Sequence, residues 1–293
     1  MSEPFDLAAA SLAVRASALD DAGAAIVLAG HYAANDLARH LGAPTARYAV
    51  STDGVRVIGG WSQAERILIV PIRTEGSEAR LILLDRHDPD LHLTRAEPGF
   101  GLSGAEEGLL PANVPLPDGD SLTVPAAVLE SALARHRLIA ASLHLAVVQG
   151  TLDGFLDRAV GFLKARSTPW YGAGLAHATD DPHALRTLGL LFARRNALDA
   201  LAAEALAAVG ATLDQDHPSD AVSRLDIARH YAKLLARTLV NEGIGLLGAS
   251  SASGKHGFDR FWRDIATHEL HYPPHRDAEA LGRDFITETR AAP

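Results

Sequence analysis

Two histidines, His268 and His271, stand three residues apart in Thr267-His268-Glu269-Leu270-His271, a spacing that sets both on one face of a helix. Such a pair can hold and pass protons near neutrality, or bind a metal ion. The metal option is the weaker, since no third ligand follows at a suitable spacing and the chain has no cysteine. The plainer alternative is that His271 only caps the end of its helix, where a cationic ring suits the C-terminal dipole. His136 and His144 fall inside a long helical stretch and read as packing or surface residues. Glu242 and Glu269 read as solvated helix charges, which leaves no carboxylate base to name.

The bulk properties narrow what these residues could serve. The 293 residues carry a formal charge of −9, 47% hydrophobic and 22% charged side chains, the balance of a globular protein. An acidic chain with no basic stripe is a poor partner for nucleic acid. The absence of cysteine removes disulfides, thiolate metal sites and cysteine nucleophiles, and fits a reducing cytoplasm. The N-terminus lacks a basic leader, and no uninterrupted apolar run approaches a membrane span, so the expectation is a cytoplasmic protein outside the membrane.

Three zones of different period must position any site. Residues 1–44 are alanine-rich and helical, with two helices parted near Asp20-Asp21-Ala22-Gly23. Residues 45–125 turn to short β-branched runs, Tyr48–Val50, Val55–Ile58, Arg66–Ile72 and Arg80–Leu84, separated by Asp-Gly and Glu-Gly turns. These predict an antiparallel meander or small barrel. Residues 126–293 return to a helical period, with Leu152, Phe155, Leu156, Ala159 and Leu163 on one stripe. Asp181-Pro182 caps a second helix, Ser219 opens a third that ends near Leu247, and a further one carries Trp262 and Ile265 to Pro273. The class expected is α+β: a short helical segment, a small antiparallel β-domain and an up-and-down C-terminal bundle.

Several ordered segments carry a resemblance. Leu246–Ala252, His256–Asp264 and Thr267–Pro273, with Arg166–Trp170, Asp180–Pro182, Glu97–Gly104 and Asn113–Pro117, are similar to the acyl-CoA dehydrogenase superfamily. Within it they resemble the two-component flavin monooxygenases of the dibenzothiophene and sulfur-acquisition type. The resemblance implies a homodimer or homotetramer with FMN or FAD between β-domain and bundle. It also implies a small-molecule substrate and a separate flavin reductase that supplies reduced FMN.

By the same resemblance His271 lies at the flavin's reactive edge and Arg166 reaches its phosphate, although a solvated helix-end arginine would serve the dipole equally well. Gly248, Ala249 and Ser250 match a small-residue turn against the cofactor, with a simple helix stop at Gly248 as the alternative. Ser62 stands in for a serine or threonine beside the ring. Three departures from the family stand out. Only about forty residues precede the first strand, where the family has a full helical domain; the loop after Gly60-Trp61-Ser62 is shortened; and Tyr272 replaces an aspartate before Pro273. These departures keep a second expectation open, a non-catalytic paralogue that serves as an oligomerisation or partner subunit.

Overall fold

The computed structural model describes residues 5–70, 76–111, 119–166, 169, 172–213, 215, 219–271 and 274–291, with the side chains of 166, 219, 271, 274–277 and 288–291 outside that description. Two helices lead, α1 (Leu7–Ala18) and α2 (Ala22–His40). Each begins where an aspartate can accept from a first-turn amide: Asp6 from Ala9 N at 2.9 Å and Asp21 from Ala24 N at 3.0 Å.

The β-domain holds two sheets. β1 (Tyr48–Ser51), β3 (Arg66–Ile69), β4 (Glu78–Asp85) and β7 (Asp120–Pro125) form one in the order β1-β3-β4-β7, and β2 (Arg56–Val57), β6 (Gly108–Leu109) and β5 (Thr94–Arg95) form the other in the order β2-β6-β5. The antiparallel expectation holds for every pair but one, β1 with β3, which is parallel. The chain between those two strands leaves to build β2 in the second sheet, and that excursion is long enough to bring β3 back in the same direction. Val57, Trp61, Ile67 and Leu84 fill one face of the larger sheet. Leu68, Leu81 and Leu83 turn the other way and pack on Leu37 of α2 and Leu129 of the bundle.

The bundle consists of α3 (Ala126–Arg166), α4 (Pro182–Thr212), α5 (Ser219–Leu247) and α6 (Asp259–His271), followed by α7 (Pro274–Ala291). Ion pairs fix the alternation. Arg195 of α4 meets Asp153 of α3 at 2.7 Å, and Arg194 of α4 meets Glu242 of α5 at 3.1 Å. Phe155 of α3 packs edge-on against Phe258 and Phe261 at the start of α6, so α6 runs back along α3. α3 has the length and apolar composition to cross a membrane, but 72% of its most apolar window is buried inside the protein, as befits the central helix of a bundle. α2 is tied to it by a buried ion pair, Arg135 Nε to Asp36 Oδ2 at 2.7 Å, and by His136 Nδ1 to the Ala33 carbonyl at 3.0 Å.

Candidate active site

A crevice of about 450 Å³ opens where α2, the β-domain and the bundle meet. Its walls include Val27 and Gly30 of α2, Ile58 and Gly59 after β2, Glu97 and Glu106 of the loop around β6, and His144 and Thr267 of the bundle. α2 approaches the β-domain backbone to backbone: a Cβ on Gly30 would stand 2.9 Å from the Gly59 Cα, and Gly59 itself has φ of 89°. Only glycine permits that contact.

The segment between β5 and β6 forms the crevice's outer wall and is clamped from two sides. Gly101 lies on the last element of the bundle so closely that a Cβ there would fall 2.2 Å from the Arg263 carbonyl oxygen. Leu102 follows in a left-handed conformation, φ 56°, and its N–H donates to Asp264 Oδ1 at 2.7 Å. Burial pushes the Asp264 carboxyl up from its ordinary range; the Leu102 amide and Arg260 pull the other way and do not prevail. Outside the clamp, Phe100 stacks edge-on against Trp262 with centroids 5.7 Å apart.

On the bundle side two histidines touch. His144 Nδ1 of α3 and His268 Nε2 of α6 are 3.0 Å apart, with ring centroids at 5.2 Å. His144 borders the crevice, whereas His268 lies behind it, 5% exposed, beside Arg229 and Lys233 of α5. Glu269, the next residue, turns to pair with Arg237. Glu269 is therefore a buried ion-pair member and not the solvated charge expected of it.

The expected site residues divide between two places. Ser62 sits at the crevice rim, its hydroxyl donating to Glu106. His268 stands behind the crevice, and His271 ends α6 one turn later, with its side chain outside the described residues. Arg166 does not join them within one chain. At about 1.5 Å of rise per residue it closes α3 about 33 Å beyond His144. Its side chain also lies outside the described residues, as do Ser167, Thr168, Trp170, Tyr272, Pro273 and the stretch Asn113–Pro117. Gly248, Ala249 and Ser250 follow α5 at that same distant end, where the next turn packs His256 against Phe162 of α3. Gly248, φ 71°, stops α5 as a helix-ending glycine would.

His144 is the residue the sequence reading passed over. A single histidine on a long helix gives no spacing signal, and its partner lies 124 positions away. Of the two roles open to His136, packing or surface, the structure shows packing: it is 8% exposed, bonded to a backbone carbonyl, and burial lowers its pKa.

Residues 129–273 match the family model described as acyl-CoA dehydrogenase, C-terminal domain. The bundle is therefore an acyl-CoA dehydrogenase C-terminal domain, which bears out the resemblance to that superfamily. Among relatives in that superfamily the chain is 30% identical over 196 residues to a dibenzothiophene monooxygenase of Mycolicibacterium goodii, covering 62% of this chain and 46% of the relative. It is 27% identical over 172 residues to the probable FMNH2-dependent monooxygenase SfnC of Pseudomonas putida, covering 56% of this chain and 44% of that one. The chain thus spans less than half the length of the curated relatives it matches. In fold it is similar to TdsC of Paenibacillus sp. A11-2, solved with FMN and indole, with a TM-score of 0.82 and 19% identity over 97% of this chain and 84% of TdsC.

Proposed function

We propose that this chain is a flavin-dependent monooxygenase of the acyl-CoA dehydrogenase superfamily that works with reduced FMN from a separate reductase and oxygenates a small apolar substrate. The observation that carries the reading is the crevice itself: a cleft between β-domain and bundle, bordered by a bonded histidine pair, in the fold that TdsC shares with FMN bound. Its volume falls in the range of small-molecule sites. The inner wall is Val27, Ile58 and glycine backbone, a surface that suits the face of a flat aromatic ring. Reduced FMN, when bound, supplies the electrons that let dioxygen deliver one oxygen atom to the substrate.

The protein's share is placement, water exclusion and proton handling. Gly30 and Gly59 keep α2 and the β-domain close enough to wall off solvent, and Asp264 and Gly101 hold the outer loop over the cleft. Ser62 offers a hydroxyl at the rim, and His271 follows His268 by three positions at the end of α6. Glu97, Glu106 and Glu107 make the cleft's polar edge acidic, and no Lys or Arg lines it among the described residues. A phosphate therefore needs a cation from elsewhere. Arg166 and the Gly248–Ser250 turn stand together at the opposite end of the bundle, which favours a homo-oligomer in which one copy's turn meets another copy's cleft. Apolar side chains left on the bundle's outer surface, Leu185 and Phe192 on α4 and Ile227 and Leu234 on α5, each pair at a seven-residue spacing, supply a face for such packing.

The acidic edge also favours the second reading, a subunit that keeps the bundle and has lost the flavin. Titration of the purified protein with FMN decides between them. Quenching of flavin fluorescence and a rise in Tm are expected, followed, with a flavin reductase, NADH and ¹⁸O₂, by labelled product from dibenzothiophene or indole. Unquenched FMN at millimolar protein, with no change in Tm, would leave the partner-subunit reading.

A further inference from the structure

We infer that His144, held by His268, is the group that exchanges a proton with the occupant of the crevice. A contact of 3.0 Å between two imidazole nitrogens needs one proton between them, so one ring donates and the other accepts. The surroundings decide which. Behind His268 stand Arg229 and Lys233 of α5, both of them partnered, Arg229 with Asp226 at 3.0 Å. Beside it on α6, Glu269 is turned to Arg237. On the crevice side, the loop around β6 presents Glu97, Glu106, which accepts from Ser62, and Glu107, which pairs with Arg56. His268 is 5% exposed whereas His144 borders the crevice, so burial disfavours a positive charge on the inner ring more than on the outer one.

His144 then donates its Nδ1–H to His268 Nε2, and His144 Nε2, the nitrogen not used in the pair, takes up or gives the proton. Taking it up makes His144 an imidazolium whose Nδ1–H stays on His268; giving it to an oxygen in the crevice restores two neutral rings. His268 is a positioning residue, fixing the tautomer and ring plane of His144 as a carboxylate does in other dyads. The role in oxygenation rests on the flavin reading, but the proton assignment does not, and the two can fail separately.

Nitrogen NMR of the ¹⁵N-histidine protein without flavin tests the assignment directly. Across the titration, His144 Nδ1 should stay protonated while His144 Nε2 alone moves between bare and protonated shifts, and His268 Nε2 should stay bare. His268→Gln, which keeps an acceptor, should preserve that pattern; His268→Ala should release His144 to the Nε2–H tautomer. Titration of His268 first, independent titration of both rings, or an unchanged His144 in His268→Ala would overturn the inference, and the wild-type spectrum decides even where a variant fails to fold. With FMN, reductase and substrate, His144→Phe should lose one limb of the kcat pH profile, at least a tenfold fall at the optimum, while FMN quenching persists. An unchanged profile would remove His144 from the chemistry, whereas absent quenching in the wild type would strike only the flavin reading.

Discussion

The Asp264 clamp lends itself to a quantitative test, because one carboxylate both holds the crevice loop and carries a displaced pKa. Leu102 sits at φ 56°, a backbone conformation that costs a leucine about 1–2 kcal/mol. The 2.7 Å bond from its N–H to the half-buried carboxylate has the charge-assisted geometry that contributes about 1.5–3 kcal/mol. The bond therefore offsets the strain with little to spare. Asp264→Ala should lower global stability by about 1–3 kcal/mol, since the loss of the bond is partly relieved by relaxation of the loop. Asp264→Asn keeps an acceptor oxygen and removes the charge. Burial raises the folded-state pKa above the unfolded value of 3.8, so the native state binds more protons in that window. The Asp264 contribution therefore falls as pH rises from below 3.8 through the raised pKa, and levels off above it. Urea midpoints of wild type and Asp264→Asn, measured from pH 3.5 to 7, should diverge across that window, with the asparagine variant losing the downward component. Parallel curves would refute the burial argument, and an Asp264→Ala variant as stable as wild type would refute the clamp.

Asp36→Ala should destabilise by about 3–5 kcal/mol in denaturant unfolding, because it removes the buried carboxylate that pairs with Arg135, 8% exposed, across α2 and α3. Gly30→Ala places a methyl 2.9 Å from the Gly59 Cα and should cost about 1–3 kcal/mol in Tm-derived stability while weakening FMN quenching, since α2 and the β-domain must part at the crevice. Phe192→Glu, at a side chain 64% exposed, should leave Tm nearly unchanged but shift sedimentation towards the monomer. If Arg166 of one copy serves the cleft of another, FMN affinity should fall as the protein is diluted through its dissociation range, and a constant affinity would place the phosphate within one chain.

What the sequence made legible follows from the range of the forces involved. Helices declare themselves locally: Asp181 caps the helix its place before Pro182 announced, and Asp6 and Asp21, each ahead of an alanine-rich stretch, cap α1 and α2. The strands were legible where apolar and β-branched residues run together, as in Arg80–Leu84, whereas β7, with polar Asp120, Ser121 and Thr123, and the two-residue β5 and β6 show no such run; β6 exists because it pairs with β2 and β5 because it pairs with β6. The parallel turn of β3 beside β1 depends on where the intervening chain goes, which residue types do not encode. The site divides along the same line. Ser62, Gly248 and His268 could be picked out from ordered motifs in short windows, yet those motifs carry no information on which ends of a 41-residue helix they gather at. His144 and Asp264 act through partners 124 and 162 positions away, brought together by α6 doubling back along α3. A residue whose chemistry is created by the crossing of two distant helices leaves no local trace, and for that reason the crevice's proton-exchanging group emerges from the packing and not from the motif.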